Sequence, residues 1–293
     1  MDNQYGVLEA LEITVLIEDY AGYDQGLLAQ HGVAFLLQAR SKKGEKTILF
    51  DCGQAAEPVL SNMKTLGKDP AAIDLIVISH CHYDHTGGLV GLLKASGRSR
   101  VPVMAHPSIF RPNYSIQPAF HSLGMGPESN RAAIEAAGGE LILTSEPLPL
   151  MPGVLTSGEI KERVLFEKNP TLALLTGEGG RLAPDPMLDD LSLALVVKQE
   201  LVIITGCSHA GIISIIETAV KLTGFDNIAA VIGGFHLVNA DEERIDKTVE
   251  DLALMKAAEI YTGHCTGFKA EVKMLQALGS RFRKLRTGMT IKF

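Results

Sequence analysis

The chain has 293 residues, 46% of them hydrophobic, and a formal net charge of −7 with a pI near 5.7. An acidic chain without a basic cluster is a poor candidate for binding nucleic acid, and no run approaches the roughly 18 consecutive apolar residues of a membrane span. This hydrophobic content allows a large core, and length alone allows one or two domains; we predict a single domain over residues 1–293. The N-terminus lacks a basic stretch followed by an apolar one, so we expect no signal peptide and a cytoplasmic protein.

Four cysteines, Cys52, Cys81, Cys207 and Cys265, are few for a disulfide framework, and we expect free thiols. Cys52 and Cys81 fit the role of small buried residues best. Cys207 and Cys265 each lie within two residues of a histidine in a glycine-containing turn.

The alternation of apolar and polar residues, together with runs of apolar residues, predicts secondary-structure elements over most of the chain. Strands are predicted at 11–18, 33–39, 47–50, 73–78, 101–105, 141–143, 153–160, 193–198, 201–205, 228–232 and 260–262. Helical spacing predicts helices at 57–66, 88–94, 130–137, 212–222, 242–256 and 269–278.

A dense group of polar residues follows the apolar run 73–78. In an extended segment His80 and His82 point to the same side. Asp84 and His85 follow as the chain turns, and they can face a second point nearby. Imidazole and carboxylate are ligands of divalent metals, so the loop predicts a metal site with room for a second ion.

A long irregular insert is predicted at about 107–130, where proline and glycine interrupt any periodicity. Segments of this kind form lids or substrate walls. His106 directly precedes this insert, and His121 lies within it. A single histidine in such a place is more often a hydrogen-bonded polar residue than a substrate contact. Further along, Glu159 and Arg163 belong either to a solvated edge or to a surface that faces an anionic substrate.

The loop-rich stretch that follows carries an acidic patch. It consists of Asp185, Asp189 and Asp190, which we interpret as turn and cap residues.

Three later strands also end in loops that carry histidine: His209, His236 and His264. In sheets flanked by helices, ligands collect at the carboxyl ends of strands. One such histidine would mean little, but three with glycine on the approach predict a shared site with the first loop.

The sequence His80-Cys81-His82-Tyr83-Asp84-His85 resembles the His-x-His-x-Asp-His loop of the metallo-β-lactamase superfamily. The resemblance implies an αββα sandwich of α+β class, with metals at one edge between two sheets. It also implies that Asp51 braces the histidine loop by hydrogen bonds.

Three short sequence motifs limit the resemblance to one branch of the superfamily. They are Thr-Gly-Cys-Ser-His-Ala-Gly at 205–211, Gly-Gly-Phe-His-Leu at 233–237 and Gly-His-Cys-Thr-Gly at 263–267. They look like the branch related to dihydropterin–(ribofuranosyl)aminobenzene-phosphate synthase, and the similarity runs from Asp51 to the closing strand. Many superfamily members carry Gly-Asp where this chain has Gly206-Cys207, and a thiolate there is also a zinc ligand.

The predicted site holds one or two divalent metal ions, with zinc first and iron, manganese or magnesium as alternatives. The expected ligands of the first metal are His80, His82 and His209. Those of the second metal are Asp84, His85 and His264, with Cys207 as a bridging or outer ligand. Asp84 doubles as a proton acceptor, and His236 acts as a proton donor or substrate contact.

The first expectation for function is a metal-dependent hydrolase. It would cleave an ester, amide or phosphate-type bond of a small molecule with a metal-activated water. One alternative is a transferase that joins a pterin diphosphate to a (ribofuranosyl)aminobenzene phosphate. A second is a metal-binding protein without turnover. The sequence allows a homo-oligomer and gives no sign of a nucleic acid or membrane partner.

Overall fold

The computed structural model describes residues 5–168, 173–178, 180–255 and 257–293. Its strands are β1 (Ala10–Ile17), β2 (Ala34–Ser41), β3 (Gly44–Phe50), β4 (Leu75–Val77), β5 (Val101–Ala105), β6 (Asn113–Ser115), β7 (His121–Ser122), β8 (Gly139–Leu143), β9 (Pro149–Met151), β10 (Val154–Thr156), β11 (Leu174–Glu178), β12 (Arg181–Pro184), β13 (Ser192–Val197), β14 (Glu200–Thr205), β15 (Ile228–Gly234), β16 (Glu259–Gly263), β17 (Phe282–Lys284) and β18 (Thr290–Lys292). Its α-helices are α1 (Ala56–Thr65), α2 (Tyr83–Thr86), α3 (Leu89–Ser96), α4 (Arg131–Ala136), α5 (Ile212–Thr223), α6 (Glu242–Leu254) and α7 (Phe268–Leu278).

Two large mixed sheets form the centre of the molecule. The first has the strand order β18-β1-β2-β3-β4-β5-β8, and the second has the order β17-β16-β15-β14-β13-β10-β9. In the first sheet β3, β4, β5 and β8 are parallel, as β14 to β17 are in the second. Each parallel set therefore gathers the carboxyl ends of its strands at one edge of its sheet.

Alternate residues of the strands face opposite sides, and both sides are apolar. Phe35 and Leu37 of β2 belong to a core cluster that also contains Leu195 and Ile204 of the second sheet. This cluster fills the space between the two sheets, and burying its side chains is the main source of stability.

The outer faces of the two sheets are covered by helices. Val59 of α1 and Leu92 of α3 pack with outward residues of the first sheet. Residues of α5, α6 and α7, among them Ile216, pack in the same way on the second sheet. The architecture is therefore a four-layer αββα sandwich, as the resemblance implied.

Most predicted elements are present with shifts of one to three residues at their ends. The helix predicted at 57–66 is α1, and the helix predicted at 212–222 is α5. The helix predicted at 242–256 ends at Leu254, and residue 256 lies outside the described part of the chain.

The segment 107–130 is more ordered than its sequence indicates. It contains β6 and β7, which join β11 and β12 in a separate sheet of order β12-β11-β6-β7. β6 and β7 are only three and two residues long, and β6 pairs with β11 from a distant part of the chain, so local periodicity gave no sign of them.

No helix in the described ranges has the length and apolar character that a membrane crossing requires.

The central core generates a stability prediction. Phe35 lies opposite Phe50 in the β2–β3 ladder, with 6.5 Å between the ring centroids, and both side chains are fully buried. Replacing Phe35 by Ala leaves a cavity between the sheets and should lower the free energy of unfolding by about 3–5 kcal/mol.

Denaturant unfolding monitored by circular dichroism measures the change. Phe268→Ala is the matched control, because Phe268 is 81% exposed and its loss should change stability by less than about 0.5 kcal/mol. Equal stability of the two variants would contradict the assigned core.

Candidate metal centre

The candidate site lies where loops that follow strands of both sheets meet. Four non-glycine residues of these loops have left-handed backbone conformations: Asp51 (φ 59°), Ser208 (φ 61°), His236 (φ 44°) and His264 (φ 49°). Such conformations are unfavourable for these residues and persist only where surrounding contacts enforce them. They turn the chain sharply at the strand ends and direct the side chains into the space between the loops.

The first group of predicted ligands is brought together. The ring centroids of His80 and His82 are 4.6 Å apart, and those rings lie 4.8 and 4.7 Å from the ring of His209. His80 and His82 come from the loop after β4, and His209 comes from the loop after β14. The two sheets thus each supply part of this group.

The second group of predicted ligands lies directly beside the first. Ligand atoms of Asp84, His85, Cys207 and His264 all lie within 4.8 Å of one another. Asp84 Oδ2 is 3.3 Å from His85 Nε2 and 3.2 Å from His264 Nε2. The Sγ atom of Cys207 is 3.1 Å and 3.3 Å from the same two nitrogens.

Cys207 belongs to both groups. Its Sγ also lies within 4.8 Å of ligand atoms of His80 and His209. The geometry therefore places a soft thiol between the two groups, where the sequence predicted a bridging or outer ligand.

Asp51 fixes the protonated nitrogens of two imidazoles. Its carboxylate accepts hydrogen bonds from His85 Nδ1 and from the hydroxyl of Ser79, each at 2.7 Å. The Ser79 hydroxyl has one hydrogen, which goes to Asp51, so His80 Nδ1 at 2.8 Å must donate to that oxygen. Both rings are then left with Nε2 facing the site.

Two other imidazoles are held in the same way by residues that the sequence did not single out. His82 Nε2 donates to the amide oxygen of Asn113 at 3.0 Å, which leaves Nδ1 as the ring nitrogen available to a metal. His264 Nδ1 donates to Asp19 at 2.8 Å, and its Nε2 faces Asp84. Partners of this kind orient metal-binding histidines and fix their tautomers.

The inward-facing atoms fit a divalent cation. Within the described residues, the buried Nε2 atoms of His80 and His209 have no hydrogen-bond partner, which is costly for a polar atom away from water. Burial lowers the pKa values of His80 and His209 well below the usual range, and that of His82 to about 4. All three rings are thus neutral at physiological pH, which is the form that binds metal.

The second group carries the negative charge of the site. Burial opposes a charge on His85, yet the carboxylates of Asp84 and Asp51 outweigh it and raise the pKa of His85 to about 10. The same carboxylates attract a divalent cation. Carboxylate, imidazole and thiol donors together suit zinc or another transition metal.

The loop between β1 and β2 adds residues that the sequence analysis missed. His31 Nδ1 lies 3.0 Å from Asp19, and His31 Nε2 lies 3.5 Å from Asp84. A Cβ atom on Gly32 would lie 2.0 Å from the Asp84 carbonyl oxygen, so only glycine lets this loop approach. These residues precede the first predicted ligand by some fifty positions, and no local spacing connects them to it.

Asp189 and Asp190, predicted as turn and cap residues, also hold the ligand loops, and Asp189 lies in a turn. Both are buried, and each accepts a backbone N–H from a ligand loop. Asp189 binds the amide of Cys81 at 2.7 Å, and Asp190 binds the amide of Ala210 at 2.6 Å. Burial raises the pKa of Asp190 to about 7. Asp185 accepts the backbone N–H of Met187 at 2.8 Å, as a turn residue does, and it also pairs with Arg111 at 2.8 Å.

Of the remaining histidines, one borders the site and two lie away from it. The ring of His236 is buried 4.1 Å from that of His209, at the edge of the site. His106 lies outside the ligand groups and contacts Glu159 at 2.9 Å and Ser108 at 2.7 Å. His121 is exposed in β7 and donates to the Ala119 carbonyl. Neither His106 nor His121 faces the metal ligands.

Comparison with known proteins places this geometry in a family. Residues 29–264 match the model of the metallo-β-lactamase superfamily. The chain belongs to the metallo-β-lactamase superfamily. The resemblance stated from the histidine loop is thus confirmed.

A relative in Methanocaldococcus jannaschii matches nearly the whole chain. It is the 7,8-dihydropterin-6-methyl-4-(β-D-ribofuranosyl)-aminobenzene-5'-phosphate synthase, 43% identical over 290 residues, which are 98% of this chain and 98% of the relative. An uncharacterized protein of the same organism is 31% identical over 264 residues, covering 90% and 94% of the two chains. The family and the named relative make this chain an enzyme and indicate a divalent metal.

A solved structure shows the same fold. A metal-dependent hydrolase of the β-lactamase superfamily, called Tm1679, superposes with a TM-score of 0.79 at 24% identity, over 96% of this chain and 98% of its own. At this identity the similarity concerns the fold alone.

The assigned ligands generate a prediction for metal content. His82→Ala removes a ring that faces the site, and we expect the purified variant to lose at least one equivalent of metal. His121→Ala is the control, because its exposed ring lies outside the ligand groups. Elemental analysis of both proteins decides the matter, and similar metal content in the two variants would show that the site is misplaced.

Cys207 generates a second prediction, since many superfamily members carry aspartate there. If its Sγ binds a metal, Cys207→Ser should weaken binding of one ion by about 10-fold or more, and Cys207→Asp should recover part of the affinity. Metal titration of the three proteins measures this. Cys52→Ser is the control, because the Cys52 side chain is buried in the outer apolar cluster. Unchanged affinity in Cys207→Ser would remove this thiol from the site.

Proposed function

We propose that this enzyme joins a pterin-methyl diphosphate to a (ribofuranosyl)aminobenzene phosphate. The observation that carries the proposal is the similarity to the synthase, which extends over nearly the full length of both chains. In this reaction the aromatic amine attacks the methylene carbon of the pterin. A carbon–nitrogen bond forms, a carbon–oxygen bond breaks, and diphosphate leaves.

The proposed metal ligands are His80, His82 and His209 for one ion. Asp84, His85 and His264 are the proposed ligands of a second ion, with Cys207 between the two. When bound, the metals would stabilise the negative charge that develops on the departing diphosphate. Zinc is the metal that this donor set favours most.

Residues of the chain then orient the reactants and handle the proton of the amine. Asp84 Oδ2 lies among three imidazoles, the nearest being His264 Nε2 at 3.2 Å, and we assign it as the proton acceptor. His236, buried beside His209, is the proposed substrate contact or proton donor at the leaving group. The loops exclude bulk water from these atoms, which strengthens each electrostatic contact.

Hydrolysis remains a prediction for the same site. If water took the place of the amine, the product would be the pterin alcohol and diphosphate. The two outcomes differ in whether an aromatic amine is seated at the site before the bond breaks. Full-length similarity to a synthase supports transfer over hydrolysis.

The proposal predicts turnover with purified, metal-loaded protein. Given dihydropterin-methyl diphosphate and 4-(β-D-ribofuranosyl)aminobenzene 5'-phosphate, the protein should release diphosphate in step with formation of the joined product. His209→Ala should lower the rate by at least about 100-fold, because a ligand is lost, and His121→Ala should not change it. Mass spectrometry of the products measures both.

Release of diphosphate without the joined product would support hydrolysis instead. No consumption of the pterin diphosphate, with metal bound, would contradict both reactions for this substrate.

A further inference from the structure

A cavity of about 480 Å³ opens beside the first group of ligands, and His209 forms part of its lining. Most of its lining comes from two segments of chain, one at 159–168 and one at 184–188, and Leu174 and His209 complete it. A volume of this size accommodates one small organic molecule. A ligand in the cavity would therefore have one end against the predicted first metal.

The walls of the cavity combine apolar and basic side chains. Ile160, Leu174, Met187 and Leu188 supply apolar surface. Lys161, Arg163 and Lys168 also line it, and they are the cations of its wall. Such a surface suits a ligand that has a flat ring and a separate anionic group.

Two acidic residues also line the cavity, and each is hydrogen-bonded to side chains outside the lining. Glu159 is engaged by His106 at 2.9 Å. Asp185 accepts two hydrogen bonds from Arg111, at 2.8 and 3.1 Å, and one from Asn113 at 2.7 Å. The charge of Asp185 is thus balanced by Arg111, and the three lining cations outnumber the one remaining carboxylate, Glu159.

Arg163 and Lys168 are the cations best placed to bind an anion. Lys161 is paired with Glu146 at 3.0 Å. Arg163 donates one N–H to the Pro186 carbonyl at 3.0 Å, which leaves its other donors for a ligand. Within the described ranges, no carboxylate is paired with Lys168.

The segment that carries these cations is anchored to the His209 loop. Glu167 accepts hydrogen bonds from the amides of Ile213 and Ser214, at 3.1 and 2.8 Å, at the start of α5. A Cβ atom on Gly211 would lie 2.2 Å from the Glu167 carboxylate, so only glycine admits the contact. This contact ties the backbone of the segment that carries Arg163 and Lys168 to the His209 loop, as a binding subsite requires.

We infer that Arg163 and Lys168 form a phosphate-binding subsite for a ring-bearing phosphate monoester, with its ring on the apolar wall and its reactive end toward His209. This inference rests on the proposed function for the choice of ligand, since an aminobenzene riboside phosphate has this chemistry. Arginine and lysine bind phosphate through charge-assisted hydrogen bonds. The phosphate monoester is thus held at the rim, away from the diphosphate that departs at the metals.

Calorimetric titration of the metal-loaded protein tests the subsite without any pterin present. The probes are 4-(β-D-ribofuranosyl)aminobenzene 5'-phosphate, the same riboside without phosphate, and inorganic phosphate. For the phosphorylated probe, Kd should rise at least about 10-fold for each cation removed and about 100-fold in Arg163→Ala/Lys168→Ala. The riboside without phosphate should bind the double variant as it binds the parent protein, and inorganic phosphate should bind more weakly than the phosphorylated probe.

The matched control is Lys221→Ala, which removes an exposed lysine paired with Glu162 on the outside of the same region. It should bind all three probes like the parent protein, and metal content should be unchanged in every variant. Unchanged affinity of the phosphorylated probe in the double variant would overturn the subsite and assign its phosphate to the metals. Equal affinity for inorganic phosphate and the phosphorylated probe would overturn the role of the apolar wall.

The experiments distinguish a failure of the phosphate subsite from a failure of the proposed synthase reaction. Binding that depends on Arg163 and Lys168, without formation of the joined product, would leave the subsite standing and contradict the synthase function. Product formation by the double variant with the parent KM would overturn the subsite alone.

Discussion

The buried carboxylate of Asp51 is the contact on which the metal centre depends. It accepts hydrogen bonds from the amide and hydroxyl of Ser79 and from His85 Nδ1, all at 2.7 Å. Through Ser79 it also sets the tautomer of His80. A Cβ atom on Gly206 would lie 2.3 Å from Ser79 Oγ and 2.8 Å from Asp51 Oδ2. Only glycine at this position therefore allows the loop of the second sheet to pack against Ser79 and Asp51. One carboxylate thus orients a histidine of each ligand group and defines where the two halves of the molecule meet.

Local sequence predicted most strands and helices and the first histidine loop, because each depends on a pattern within one segment, whereas the αββα layers were implied by the family resemblance. The two-residue alternation of β2 and the spacing of His80 and His82 are properties of adjacent positions. The residues that hold the outer nitrogens were not predictable in this way. Asp19 meets His264 across 245 positions, and Asn113 meets His82 across 31. Only the fold brings these pairs together, and nothing in the neighbouring sequence marks either partner.

The burial of Asp189 and Asp190 was not predicted for a different reason. Adjacent acidic residues in a loop-rich stretch are ordinarily solvent-exposed turn residues. Here they precede β13, whose neighbour β14 leads into the His209 loop. Their burial follows from that strand order, and they stabilise the two ligand loops by accepting backbone amides. A buried carboxylate is tolerable when it has such donors.

Asn113 connects the wall of the cavity to the metal centre by hydrogen bonds. Its amide oxygen holds His82, while its amide nitrogen donates to Asp185, which is in turn paired with Arg111. Asn113 is also the first residue of β6, in the small sheet that the insert contributes. A change in this sheet would therefore alter the orientation of a metal-facing imidazole as well as the shape of the substrate wall. The insert therefore supplies a residue that positions His82, and this contact lies outside the histidine loop itself.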